Sequence, residues 1–321
     1  MGSILGESLA MNGYITMKIL VATEKPFAAA AVQGIKKEIE ESGHELVLLE
    51  KYTEKAQLLE AVKTADAMIV RSDKVTPEVL DAASQLKIVV RAGAGYDSID
   101  TAYAKTKGIV VENTPGQNAN AVAELVFGLL VYTVRNFFNG KSGTELKGKK
   151  LGILAFGNVG RNVARIAKGF GMDVYAYDEY CPAQAIEEAG VHAVANRDEL
   201  FKNCDVVSLH IPATPETINS INYAVVNQMQ KGGILINTAR KEVINEPELL
   251  KLLADRPDLK FITDIKPDAD ADFMQFDGRY FSTPKKMGAQ TAEANTNAGI
   301  AAARQINAFF KDGCTKFQVN K

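Results

Sequence analysis

Six consecutive residues, Ala155-Phe156-Gly157-Asn158-Val159-Gly160, and an acid about 18 positions beyond them, Asp178, could together hold a dinucleotide. Gly157 would let backbone approach a pyrophosphate, and Gly160 would let a helix pack closely on the strand before it. The first amides of that helix offer unpaired N–H groups and the positive end of its dipole to phosphate. Asp178 can accept hydrogen bonds from ribose hydroxyls, and its charge would repel a 2′-phosphate, which favours NAD over NADP. The full fingerprint is G-x-G-x-x-G/A, and Ala155 stands where its first glycine belongs. That replacement is tolerable if φ at Ala155 stays negative. A turn of this kind can also join strand to helix with no ligand, so the surrounding elements decide.

Those elements support a dinucleotide site. Apolar β runs alternate with helical stretches: KILVAT, ELVLLE, AMIVR, KIVVRAG and IVVENTP up to about Pro115. A long helix follows, from roughly Asn120 to Phe138. A second series runs through KLGILAF, DVYAYD, VVSLHIP, GGILINTA and KFITDI, and a last helix covers about Ala292 to Lys311. Short strands separated by helices imply parallel sheets, so the expected fold class is α/β, with two doubly wound lobes. A cleft between such lobes would be a natural ligand site.

Composition removes other classes. A length of 321 residues suits two domains, and a net charge of −2 gives no reason to expect a nucleic acid or an anionic membrane as partner. No apolar run reaches the roughly 18 residues of a spanning helix. Cys181, Cys204 and Cys314 are few and widely spaced. They fit a reducing, cytoplasmic setting and show no metal-ligand spacing. Residues 1–16 lack the pattern of a signal peptide and read as a leader or tag extension.

At this point the sequence resembles the D-isomer 2-hydroxyacid dehydrogenases. The resemblance rests on VRSDKVTPEVLDAA, VVRAGAGYDSID, GIVVENTPGQNANAVAELVFGLL, GTELKGKKLGILAFGNVGRNVA, VVSLHIPATPET, GGILINTAR, TDI and KMGAQTAEA, from about Met17 to Gly313. It implies a Rossmann-like NAD domain, 116–295, inserted into a flavodoxin-like substrate domain made of 17–115 plus 296–321. It also implies a homodimer formed through the crossing-helix region, and no appended regulatory domain after the last helix. Family members often carry a longer loop than NFFNGKSG between VR and GTEL.

The resemblance assigns roles by position. Arg240, in NTAR, matches the catalytic arginine, whose fixed fork of donors can hold a carboxylate and polarise a keto oxygen. Ala94, Asn158, Val159, Ile211, Pro212, Thr238, Ala239, Asp264 and Gly288 fall around the cofactor, with Asp264 at its nicotinamide end. His210 borders the cofactor or plugs its strand end. The family's proton-carrying histidine and its glutamate are missing: Lys286 and Ala269 occupy those positions, and no other histidine lies nearby. Lys286 or, on the same edge, Lys266 would then carry the proton, its amine brought into range by desolvation and like charge. Gly93 and Gly95 would offer N–H groups to the substrate carboxylate. Arg71, Arg91, Lys74 and Arg135 match basic positions that hold a phosphate. The implied reaction is NAD-linked oxidation of a phosphorylated 2-hydroxy acid, 3-phospho-D-glycerate. Rivals are a glyoxylate or hydroxypyruvate reductase on the same fold and a non-catalytic NAD-sensing interaction protein.

Overall fold

The computed structural model describes residues 16–321, so the expected leader lies almost wholly outside the described residues. The chain divides into two compact units. Unit 1 takes the described residues up to Gln117 together with Asn295–Lys321, and unit 2 is Asn118–Ala294.

Unit 1 is built on five parallel strands: β1 (Lys18–Thr23), β2 (Glu45–Glu50), β3 (Ala67–Val70), β4 (Ile88–Arg91) and β5 (Val110–Asn113). Their order is β2-β1-β3-β4-β5, the flavodoxin-like arrangement. β3 is buried at all four positions, whereas β2 at the edge is half open. That is the pattern of a parallel sheet with covered faces, whose inner strands read as unbroken apolar runs. One face is closed by the helix Ala29–Glu41 and by the returning helix Ala292–Asp312. The two approach closely because each offers a glycine. A Cβ on Gly34 would stand 2.5 Å from the Ile300 side chain, and one on Gly299 would stand 2.9 Å from that of Ile35.

Unit 2 holds seven parallel strands: β6 (Lys150–Leu154), β7 (Asp173–Tyr177), β8 (His192–Ala193), β9 (Val206–Leu209), β10 (Ile234–Asn237), β11 (Lys260–Thr263) and β12 (Tyr280–Ser282). They lie in the order β12-β11-β10-β9-β6-β7-β8. The Rossmann-like, doubly wound class inferred from the sequence is the one observed. β8 and β12, at the two edges, do not show in the sequence, because pairing rather than an apolar run defines them. The helix Asn158–Gly169 buries Gly160, Val163, Ala164 and Ala167, a spacing that makes one helical stripe. It packs in one core with Ala123, Val126, Phe127 and Leu130 of the crossing helix Ala119–Val134.

Two local expectations fail. The crossing helix stops at Val134 instead of Phe138, and Asn136, Phe137 and Phe138 all adopt positive φ, between 52° and 56°. The chain folds back so that Thr144 N–H caps the Val134 carbonyl at 2.8 Å, and Gly143 leaves no room there for a Cβ. Phe137 packs on Tyr132 with ring centroids 5.0 Å apart. Ala155 is the second correction: its φ is +79°, not negative. Its amide stays on the ladder with the Tyr177 carbonyl at 2.9 Å, while Phe156 N–H is drawn to Asp178 Oδ2 at 2.6 Å. Those two bonds force the turn through the left-handed region, which costs a residue with a Cβ about 1 kcal/mol. Ala155→Gly is therefore expected to stabilise unit 2 by about 1 kcal/mol, read as a rise in Tm of about 2–4 °C. An unchanged or lower Tm would show that the turn is unstrained.

Candidate functional site

The phosphate turn is shaped by what its glycines leave open. A Cβ on Gly160 would stand 2.3 Å from the Ala155 carbonyl oxygen, so this glycine is required for helix and turn to meet. Gly157 differs. It caps the helix Asn158–Gly169 at φ −78°, a conformation any residue reaches, and nothing lies within 4 Å of where its Cβ would be. Neither backbone geometry nor neighbouring atoms demand a glycine there. The space left bare stands over the free amides of Asn158 and Val159, the cradle that a pyrophosphate needs. Those amides belong to the dinucleotide turn read in the sequence.

Asp178 anchors that turn. Oδ2 accepts from Phe156 N–H, and Oδ1 accepts from Tyr180 N–H at 2.8 Å and Cys181 N–H at 2.9 Å. The carboxylate thus spends three acceptor positions on the loops and keeps one on Oδ2 for a ribose hydroxyl. It lines a cavity of about 480 Å³ with Ala155, Tyr177, Ile211 and Pro212, large enough for the adenosine end of a dinucleotide.

The other strand ends continue this pattern. Asn237, 1% exposed, accepts Ala239 N–H on its Oδ1 at 2.9 Å and donates to the Arg240 carbonyl at 2.9 Å. It fixes the turn that carries Arg240, whose Nη1 donates to the Ala239 carbonyl. Sequence reasoning passed over Asn237, although an amide one turn before the arginine was a legible signal. Thr263 holds its own loop through Ile265 N–H and carbonyl. Asp264 is fully buried, and its carboxylate accepts Met287 N–H, Gly288 N–H and the Thr283 hydroxyl, all at 2.8–2.9 Å. It clamps the segment that bears Lys286. A Cβ on Gly288 would stand 3.0 Å from Asp264 Oδ2, so the clamp needs the glycine.

Two buried side-chain atoms among the described residues of unit 2 lack a partner: His210 Nδ1 and Thr238 Oγ1. They stand at the carboxyl ends of the paired strands β9 and β10. His210 is only part-buried as a residue, but its ring is sealed. Nε2 meets Ser208 Oγ at 2.9 Å, and burial drives its pKa down to about 3. It is a neutral imidazole at working pH and a poor base. Orphaned polar atoms at the strand ends are what a cofactor with polar edges would satisfy. The residues present fit NAD: Gly157, Asn158 and Val159 for the pyrophosphate, Asp178 for the ribose, Thr238 and His210 for polar groups beyond it. Among the described residues no cluster of His, Cys, Asp or Glu suits a metal.

Lys286 and Lys266 are both exposed. Lys266 pairs with Asp270 at 3.0 Å, and Asp270 also accepts the Tyr280 hydroxyl at 2.6 Å. Arg135 caps the crossing helix and is exposed.

In unit 1 the expected basic residues gather at the carboxyl edge of the sheet. Arg71 follows β3, and its guanidinium is largely committed. It donates to the carbonyls of Lys25 and Pro26 and to Asn295 Oδ1, and it lies over the Phe27 ring at 5.1 Å. Arg71 thereby ties the loop after β1 to the returning helix, which leaves two of its five donors for a ligand. Arg91 Nε donates to the Arg71 carbonyl at 2.7 Å. Its guanidinium fills the place where a Gly93 Cβ would be, 1.6 Å from Nη1, and Gly93 has φ +151°. That φ is what calls for a glycine, since the guanidinium tip could move aside. The Gly93 N–H, expected to serve the substrate carboxylate, is instead donated to the Arg91 carbonyl at 2.9 Å. Ala94 gives its carbonyl to Asn113 at 2.6 Å, Gly95 is half-buried and Lys74 is exposed.

Gly157→Ala tests the cradle. The variant should fold, with stability reduced by less than about 1 kcal/mol, because the position is an unstrained N-cap. NAD affinity, measured by calorimetry, should fall at least about tenfold as the methyl enters the phosphate space. Equal NAD affinity would remove the turn from the cofactor site.

Comparison with known proteins agrees with this geometry. Residues 132–276 match the family described as D-isomer specific 2-hydroxyacid dehydrogenase, NAD binding domain. The chain is 36% identical over 283 residues to the D-3-phosphoglycerate dehydrogenase of Methanocaldococcus jannaschii, covering 83% of this chain and 54% of that protein. It therefore spans about half of that relative's length. It is 38% identical over 285 residues to the hydroxypyruvate reductase of Thermotoga maritima, covering 82% of this chain and 90% of that protein. Its fold is similar to the crystal structure of NAD+-bound 3-phosphoglycerate dehydrogenase from Entamoeba histolytica, with a TM-score of 0.85, 47% identity and coverage of 96% and 99% of the two chains. The chain belongs to the D-isomer specific 2-hydroxyacid dehydrogenases, and its unit 2 contains the family's NAD-binding domain.

Proposed function

We propose that this protein is an NAD-dependent dehydrogenase that oxidises 3-phospho-D-glycerate to 3-phosphohydroxypyruvate, the entry step of serine synthesis. The observation that carries the substrate is the 47% identity, over nearly the whole of both chains, to a 3-phosphoglycerate dehydrogenase with NAD+ bound. Bound NAD supplies the hydride acceptor. Arg240, its turn locked by Asn237, holds the substrate carboxylate and the oxygen that becomes a ketone. A lysine takes the hydroxyl proton. Lys286 comes first, because Asp264 fixes the loop beside it, and Lys266 second, because Asp270 already holds its ammonium. In unit 1 the Gly95 amide serves the carboxylate, because the Gly93 N–H is already donated to the Arg91 carbonyl. Arg91, Lys74 and the two remaining donors of Arg71 serve the phosphate, with Arg135 as a further cation. The protein works in the cytoplasm as a homodimer through the crossing-helix region, where Phe138 is 67% exposed. Among the described residues no helix is long and apolar enough to cross a membrane.

The second reading is a hydroxypyruvate reductase, favoured by the similarity to the Thermotoga maritima enzyme over 90% of its length. The phosphate separates the two. With NADH formation as readout, kcat/KM for 3-phospho-D-glycerate should exceed that for D-glycerate at least about tenfold, the value of one charge-assisted contact. Equal use of the unphosphorylated acid would favour the second reading, and NAD binding without turnover of either would favour an interaction protein. Lys286→Met should lower kcat by about 100- to 10,000-fold, abolish the limb of the pH profile that the amine controls, and leave NAD affinity intact. If Lys286→Met and Lys266→Met both keep normal kcat and pH profile, no lysine carries the proton.

A further inference from the structure

Unit 1 contains a cavity of about 470 Å³ that none of these roles uses. It lies between the returning helix, the end of β5 and the C-terminal segment, all within the same unit. Ile300, Ala308 and Phe317 give it apolar walls, Glu112 and Gln305 give it polar ones, and the exposed thiol of Cys314 stands on its lining. Glu112 is 1% exposed, and its Oε1 accepts Phe317 N–H at 3.2 Å. Burial raises its pKa, against smaller opposing effects of that bond and of Lys321. Gln305 Oε1 is buried without a partner. A sealed acceptor with no donor is costly, and it becomes favourable once a donor arrives. The chain does not supply that donor from the cavity's arginine. Arg304 is committed to Glu38, through Nε at 2.9 Å and Nη2 at 2.7 Å.

The cavity therefore holds a buried acceptor without a donor, on Gln305, beside the Glu112 carboxylate, and it has apolar surface to cover. We propose that it is a binding site for a small primary amine with an apolar body, whose N–H groups meet the Glu112 carboxylate and the Gln305 carbonyl. A ligand that is mostly apolar and fixed by a few polar contacts is what such a site selects. The amine also favours the ionised form of Glu112, so binding releases a proton from the carboxyl. Affinity then rises as pH climbs through the elevated pKa of Glu112 and levels off above it. The cavity wall includes Gln117, the last residue before the chain enters unit 2, so an occupant touches a segment through which the two units are joined in sequence. The test needs no turnover, so its failure is separate from failure of the dehydrogenase reading.

Benzylamine is the probe, benzyl alcohol its uncharged counterpart, and the intact chain the target. The readouts are calorimetric binding and the rate at which a methanethiosulfonate reagent modifies Cys314, with Cys181 followed in the same digest as internal control. Benzylamine should bind and slow Cys314 modification severalfold while leaving Cys181 unchanged, and benzyl alcohol should do neither. Glu112→Gln, which keeps an acceptor for Phe317 N–H, should weaken benzylamine binding about tenfold or more and remove its pH dependence. Gln305→Leu should weaken it by a smaller factor; it serves as the second variant should Glu112→Gln melt early. The proposal is overturned if benzylamine neither binds nor protects Cys314. Equal binding of benzyl alcohol, or affinity unchanged in both variants, overturns it as well.

Discussion

A parallel strand that stops leaves the next amides of the chain without a ladder partner. In this protein the side chains at the strand ends take them. Asp178, after β7, gathers three backbone N–H groups from two loops. Asn237, at the end of β10, and Thr263, at the end of β11, each hold the turn that follows. Asp264 gathers two amides and a hydroxyl from the segment beyond β12. In unit 1 Asp73, 4% exposed, does the same for Glu24 N–H, Arg71 N–H and the Tyr52 hydroxyl. A buried amide left alone would cost about 1–3 kcal/mol, so the loops have few alternatives to the shapes they hold. Phe156, Arg240 and Lys286 ride on these fixed loops.

The same economy sets the electrostatics. Asp178 and Asp264 are bound mainly to backbone, Asp270 holds Lys266, and the histidine that could have been a base is neutral and sealed against Ser208. On the proposed reading the proton carrier is one of the exposed lysines. An ammonium must give up its proton before it can accept another, so a lysine's activation depends on what covers it when ligands are bound. Histidine–glutamate pairs avoid that dependence, because imidazole titrates near neutrality unaided. A lysine in that role makes catalysis sensitive to how completely water is excluded.

Much of this was legible in the sequence, because parallel strands and glycine turns are local signals. KILVAT and DVYAYD coincide with strands or nearly so, and Ala292 is where the last helix begins. The phosphate turn was legible for the same reason. What escaped is set by distant partners. The sign of φ at Ala155 follows from bonds to Tyr177 and Asp178 on the next strand. Arg71 reads as a free cation until Asn295, 224 positions away, is seen to hold it. β8 and β12 exist only because neighbours pair with them. Residue types at the candidate site came from family resemblance, and their hydrogen bonds came from the fold alone.

The insertion of unit 2 into unit 1 has a consequence in time. The face of the first sheet that carries Ile19, Val21 and the helix residue Ile35 is closed by Ala298, Ala302 and Ile306 of the returning helix. A ribosome reaches that helix only after making all of 118–294, which takes roughly 10–35 seconds at about 5–20 residues per second. Throughout that interval this face of the nascent first sheet has only the helix Ala29–Glu41 to cover it. Gly34, shaped to receive Ile300, waits for a partner not yet synthesised. Unit 2, contiguous in sequence, can complete its core first. Cells that make this protein quickly, or shorten the wait for its last helix, should lose less of it to aggregation.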